Sequence, residues 1–158
     1  MLIVLVVVSI SNNNKKVVRA AEATCVGKSY PDQQNKDICA DAAGSVTLAG
    51  LSVTATPLKA QSDTIGGKAL CSTVTIKNQT SSSQDYNELD FKIQKPSGDV
   101  ATGSTLSLAS TLSSGTLIKG ASKTGLVCGD DTGERGTYVF IYKPNFIEGD
   151  RGIWLFPV

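Results

Sequence analysis

From Ser45 onward, apolar and polar residues alternate with a period of two. Val46 and Leu48 interleave with Thr47 and Ala49; after Gly50, Leu51, Val53 and Ala55 interleave with Ser52, Thr54 and Thr56. Such alternation makes a strand with one buried face. Pro57 cannot donate to a ladder, so it ends the strand or marks an edge. "ALCSTVTIKN" (69–78) predicts the next strand, with Leu70, Val74 and Ile76 on one parity and Cys71, Thr73 and Thr75 on the other. "ELDFKIQKPSG" turns Leu89, Phe91 and Ile93 inward and Asp90, Lys92 and Gln94 outward, before a turn at Pro96-Ser97-Gly98. In the Ser-, Thr- and Gly-rich stretch 99–118, Leu106 and Leu108 anchor a short strand. "KTGLVCGD", "TYVFIYKP" (137–144) and "GIWLFPV" complete the set, the last two strongly β-forming. No stretch carries a helical stripe. About seven short strands with closely spaced turns predict an all-β antiparallel sandwich spanning residues 45–158.

The N-terminal part reads differently. "MLIVLVVVSI" is too short to span a bilayer, which takes about 20 residues, and resembles the apolar core of a secretory signal. Ala21-Glu22-Ala23 has the small-x-small form of a cleavage site, so residues 1–24 are expected to be signal-like. No cation precedes the apolar run and the gap to the cleavage site is long, which points to a start upstream of Met1. A buried N-terminal strand is the structural alternative. Residues 25–44, with Pro31, "DQQNKD" and "ADAAG", read as a polar arm outside the core.

Cys25, Cys39, Cys71 and Cys128 are the four cysteines. An even count behind a signal-like segment reads as disulfides made in an oxidising compartment, and no C-x-x-C spacing suggests zinc or thiol redox. Three pairings are possible. Cys25 with Cys39 would close the arm, and Cys71 with Cys128 would join two distant strands for roughly 4 kcal/mol by the chain-entropy estimate. Strand parity complicates the second bond. Cys71 falls opposite the aliphatic face, so either a bulge resets the register or the bond lies on an outer face.

Charge is balanced, with 15 basic and 14 acidic residues, and there is no histidine. Balance argues against nucleic acid as a partner. The missing histidine removes the usual general base, the Ser-His and Cys-His pairs and the commonest metal ligand. No Gly-rich phosphate loop, dinucleotide fingerprint or G-x-S-x-G motif occurs, and no cofactor is implied.

The succession "LAGLSVTATPLK", "ALCSTVTIKN", "YNELDFKIQKPSG", "SGTLIKGASKTGLVC" and "GTYVFIYKPNFIEGDRGIWL" resembles a family of secreted bacterial proteins of unknown function. Many of its members are actinobacterial lipoproteins or exported proteins. The resemblance covers about residues 45–158. It implies an immunoglobulin-like sandwich similar to the mycobacterial immunoprotective extracellular antigen, and it lends no catalytic residue. Gly129 stands where members commonly carry an aromatic after the second cysteine, and no lipid-attachment cysteine is evident, since Thr24 suits that processing of Cys25 poorly.

Candidate chemistry is sparse. The loop before the last strand carries Glu148, Asp150 and Arg151, flanked by Phe146 and Trp154. Trp and Arg are enriched at interface hot spots, so these five residues form a possible recognition loop. The structural reading packs Trp154 and Phe156 inward and pairs Asp150 with Arg151 across the turn. Asp130, Asp131 and Glu134, or Glu148 and Asp150, offer hard oxygen ligands without the spacing of a calcium cage. Asp85, Glu88 and Asp90 are the carboxylates for glycoside chemistry, which needs a sugar-sized cleft. Asn78-Gln79-Thr80 matches the N-glycosylation pattern but reads as a turn after a strand. The sequence therefore predicts a secreted or outer-envelope, non-enzymatic module that recognises a protein or envelope component. The alternative is a small-ligand or accessory domain. Membrane contact is expected only through the signal-like segment or a lipid anchor.

Overall fold

The structure is a computed structural model that describes residues 25, 27–62, 67–101, 110–144 and 149–158. The signal-like segment 1–24 and the strand expected around Leu106 and Leu108 lie outside these residues.

Two five-stranded sheets stack face to face. The first runs β1 (Asp37–Ala40), β12 (Arg151–Pro157), β11 (Thr137–Tyr142), β7 (Phe91–Gln94), β8 (Val100–Ala101). The second runs β10 (Ser122–Asp130), β5 (Lys68–Asn78), β3 (Leu51–Ala55), β2 (Ser45–Leu48), with β4 (Lys59–Ser62) also paired to β5. A small third sheet joins β6 (Gln84–Tyr86) to β9 (Gly115–Leu117). The all-β sandwich matches the expectation from alternation. The strands missed by alternation are short: β1, β4, β6, β8 and β9 are made by pairing with a longer neighbour, and two to four residues are too few to show a period.

The core is the space between the sheets. Val46, Leu48, Leu51, Val53, Leu70, Val74 and Ile76 from one sheet meet Phe91, Ile93, Tyr138, Phe140, Tyr142, Trp154 and Phe156 from the other. The aromatics interlock. Phe91 stacks on Tyr142 with centroids 4.8 Å apart, and Phe140 meets Trp154 edge-on at 6.0 Å. Trp154 satisfies its indole N–H on the Gly44 carbonyl at 2.9 Å, so the ring is buried without a polar penalty.

Two expectations are corrected and a third, left open between two alternatives, is decided. The first concerns residues 25–44, expected outside the core. β1 joins the first sheet parallel to β12, with Asp37 opposite Arg151 and Ala40 opposite Trp154. Cys25, Tyr30 and Cys39 form a second apolar cluster with Val139, Ile141 and Ile153. These last three project from the outer face of the sheet, so β11 and β12 are apolar on both faces and something must cover the outer one. A polar-looking segment supplies the cover with one tyrosine and a disulfide.

The second concerns "ELDFKIQ". Glu88–Asp90 form a 3-10 turn capped by Asn87, whose side chain accepts from Leu89 N–H at 2.9 Å. The turn resets the alternation: Leu89, expected inside, is 61% exposed, and Asp90, expected in solvent, is 5% exposed. Phe91 and Ile93 point inward as expected.

The third concerns Cys71. The structure bonds Cys25 to Cys39 and Cys71 to Cys128. Cys71 and Cys128 face each other on adjacent antiparallel strands, Cα atoms 4.1 Å apart, clustered with Ala69 away from the main core. No bulge resets the register; the bond lies on the outer face of one sheet and does not cross the sandwich.

Candidate functional site

The proposed recognition loop is largely dismantled. Trp154 is fully buried, as the structural reading held. Arg151 is buried too, but its partner is not Asp150. Its Nε and Nη2 donate to the two carboxylate oxygens of Asp37, each at 2.7 Å. Nη1 donates to Asp32 Oδ2 at 2.9 Å and Nη2 also to the Asp32 carbonyl at 2.7 Å. The guanidinium is thus consumed by the N-terminal segment and cannot greet a partner. Asp150 is half-exposed; Phe146 and Glu148 lie outside the described residues.

Asp37 is the centre of this network. It also accepts from Tyr30 Oη at 2.6 Å and Gln34 N–H at 2.8 Å. Burial opposes its ionisation, but the bonds from Arg151, Tyr30 and Gln34 outweigh burial and hold the carboxyl below the usual range. Burial, with the Asp37 bond, pushes the Tyr30 phenol well up. The arrangement is a saturated structural joint, with no group left over for chemistry.

Of the oxygen-ligand candidates, Asp131 accepts from Gly133 N–H at 2.9 Å, and Glu134 from Thr132 Oγ1 and Ser97 N–H. These bonds shape the turn, and the Ser97 side chain first of all lowers the Glu134 carboxyl. Among the described residues no three metal-ligating side chains converge. Asn78 is no glycan acceptor in this fold: it is fully buried and its amide donates to the carbonyls of Ser82 and Leu117, at 2.8 and 2.9 Å.

The third group of candidates does come together. A depression of about 410 Å³ is lined by Asp85, Tyr86, Asn87, Asp90, Ser114, Gly115 and Thr116. Its walls are β6, the capped 3-10 turn and β9. Asp85 and Asp90 share it because that turn rotates Asp90 off its expected parity; Glu88, also exposed, is not part of the lining. Thr116 Oγ1 donates to Asp85 Oδ1 at 2.7 Å, and Ser114 Oγ to Asn87 Oδ1 at 3.1 Å. Gly115 permits the shape: a Cβ there would lie 2.9 Å from the Tyr86 hydroxyl and 3.1 Å from its ring. Behind the depression Tyr142 is buried, and its hydroxyl has no hydrogen-bond partner among the described residues. Burial pushes its phenol up and the charge of Asp90 adds to the effect. Sequence reasoning named Asp85 and Asp90 but missed Asn87, Ser114 and Thr116. Those three come from two segments whose pairing, Tyr86 against Gly115 and Asp85 against Thr116, leaves no periodic trace.

The fold and the site together define a disulfide-tied β-sandwich with a surface depression at its small third sheet, its exposed wall largely apolar and set with a few polar groups. Comparison with known proteins places the fold more closely. No family model matches the chain, and no curated protein does. Among solved structures the chain is similar to MPT63, a secreted protein of Mycobacterium tuberculosis, at 16% identity, with 83% of this chain and 100% of that one covered and a TM-score of 0.59. It is also similar to the YjhA protein of Bacillus subtilis, at 19% identity over 66% of this chain and 80% of that one, with a TM-score of 0.52. An uncharacterised β-sandwich protein of Clostridium difficile matches at 10% identity, 80% and 99% coverage and a TM-score of 0.50. At these identities the likeness establishes the shared sandwich and carries no site from one protein to another.

Proposed function

We propose that the protein is an exported recognition module that binds a hydroxyl- or amine-bearing group of an envelope component, such as a glycan, in the depression between β6 and β9. The carrying observation is the lining itself. Two carboxylates, an amide and two hydroxyls converge beside a tyrosine, and no lysine or arginine is among them. A largely apolar wall set with these acceptors suits the face and hydroxyls of a sugar or an ammonium, and the carboxylates repel phosphates and other anions. The volume sits at the small end of ligand sites, enough for a short saccharide segment. Two disulfides support folding in an oxidising compartment, and the likeness to a secreted sandwich protein is consistent with export. Binding without turnover is the reading preferred, because Asp85 has an oxygen engaged by Thr116 and neither a histidine nor a third acid assists.

Titration calorimetry with purified cell-wall polysaccharide fragments tests it. Saturable binding that falls at least about tenfold in Asp90→Asn and Thr116→Ala supports the proposal. Absence of saturable binding, or binding indifferent to both changes, refutes it. Release of new reducing ends would replace recognition by hydrolysis. A second reading, a protein partner, is favoured by Leu89, which the 3-10 turn holds 61% exposed between the lining residues Asn87 and Asp90. Leu89→Ser would abolish capture of a protein partner and leave glycan binding intact.

A further inference from the structure

The N-terminal segment is attached to the sandwich without any covalent bridge of its own. The Cys25–Cys39 bond closes a ring inside the segment: Cys39 lies in β1, the segment's own strand, and the bond ties it to no other strand of the sheet. The segment's buried apolar residues form a cluster separate from the main core, whose buried members all lie at or after Val46, while the partly buried Ile38 and Ala40 pack against that core. β1 is an edge strand with one partner, β12, over four residue pairs. The segment's polar hold is concentrated on Arg151.

The boundary of the segment is equally sharp. Ala43 N–H donates to the Ala55 carbonyl at 3.2 Å, and the Gly44 carbonyl accepts from Trp154. Both pin the chain to the sandwich from residue 43 on. These two residues end a short turn that begins at Asp41, closed by Gly44 N–H on the Asp41 carbonyl at 2.8 Å, in which Ala43 takes a left-handed φ of 63°. A non-glycine residue in that region is under strain. A short strained hinge next to a compact, self-closed element invites exchange of that element between molecules.

We propose that residues 25–40 act as a detachable strap that two copies of this chain exchange, each strap seating on the other copy's β12. Release uncovers the β12 edge and the apolar side chains of Val139, Ile141 and Ile153. The occupant that fits this surface is another strap. Only it brings Asp37 and Asp32 to Arg151 and a ring bearing Tyr30 to the apolar stripe. The closed monomer and the exchanged dimer contain the same contacts and differ in the hinge, so concentration decides between them.

The test uses the unmodified protein. Isotopically heavy and light preparations are mixed, concentrated and warmed, then read by native mass spectrometry. The same mixture is cross-linked with a carbodiimide at Lys36 and Asp150; Lys36 packs against Gly149 from the strap side. Exchange predicts heavy–light dimers whose Lys36–Asp150 link joins one heavy and one light peptide. It also predicts that β1 amides exchange with solvent at least about tenfold faster than those of β11. A protein monomeric at every concentration overturns the proposal. So does a dimer without mixed-isotope links at this pair, which locates the interface elsewhere, and so does equal protection of β1 and β11.

Discussion

Arg151 and Asp37, adjacent across the β1–β12 pair and far apart in sequence, form a two-pronged buried ion pair with both contacts at 2.7 Å. The pair is what turns a polar N-terminal segment into part of the fold. Its energetics are asymmetric: an ion pair roughly offsets its own desolvation, whereas one partner left alone in a buried site does not. Asp37→Ala is therefore expected to cost about 3 kcal/mol in urea unfolding. Asp32→Ala, with a side chain 67% exposed, should cost less than about 1 kcal/mol. The double change Asp37→Leu with Arg151→Met should recover most of the loss. A double variant as unstable as Asp37→Ala would show that the charge pair itself stabilises.

The same pair sets the acid limb of stability. The folded state holds the Asp37 carboxyl below its ordinary value. Its contribution is thus fully present above the unfolded value of about 4 and is lost as pH falls from there through the lower folded value. Thermal melts between pH 5 and pH 2 should show the wild type losing stability more steeply than Asp37→Asn. Parallel slopes would mean that Asp37 is not held low. At the alkaline end Tyr30, whose phenol is pushed up, favours the folded state below about pH 10, and that contribution fades as pH rises further.

The two disulfides should separate in effect. Replacing Cys71 and Cys128 by Ala opens a loop of 57 residues within the sandwich and should cost about 4 kcal/mol of global stability. Replacing Cys25 and Cys39 opens only 14 residues, in a segment with its own apolar cluster. Here the expected result is faster proteolysis before Asp41 with the sandwich still cooperatively folded, read by limited digestion and near-ultraviolet dichroism. Complete unfolding of that variant would show that the segment and the core form one cooperative unit.

Tyr142 offers a change in the opposite direction. Its ring stacks on Phe91, while its buried hydroxyl lacks a partner among the described residues. Tyr142→Phe keeps the stack and removes the desolvated hydroxyl, so stability should rise by about 1 kcal/mol in chemical denaturation. A loss of that size would show that the hydroxyl is hydrogen-bonded in the folded protein.

Alternation was enough to find the long strands, because a residue on one face of a pleated sheet meets either core or water, and side-chain chemistry records which. It placed Val46, Val53, Val74 and Phe91 inside. It failed at Leu89 and Asp90, where one capping asparagine shifts the register by a hydrogen bond that no periodicity encodes. For the candidate site, it marked the carboxylates of Asp85 and Asp90 but not their neighbours on β9, which only the pairing of two distant segments brings near.

By itself the chain determined its class: period-two patterning, aromatic and branched residues, and an even cysteine count dictate stacked sheets with disulfides. The tertiary structure decided the rest. Arg151 is saturated and not displayed, the arm covers a face and does not dangle, and Asp90, expected in solvent, turns in to share one depression with Asp85. The physical reason is common to all three. Burial of charge and of a sheet's second face depends on which remote segment arrives to satisfy it, and that arrival is a property of the folded chain as a whole.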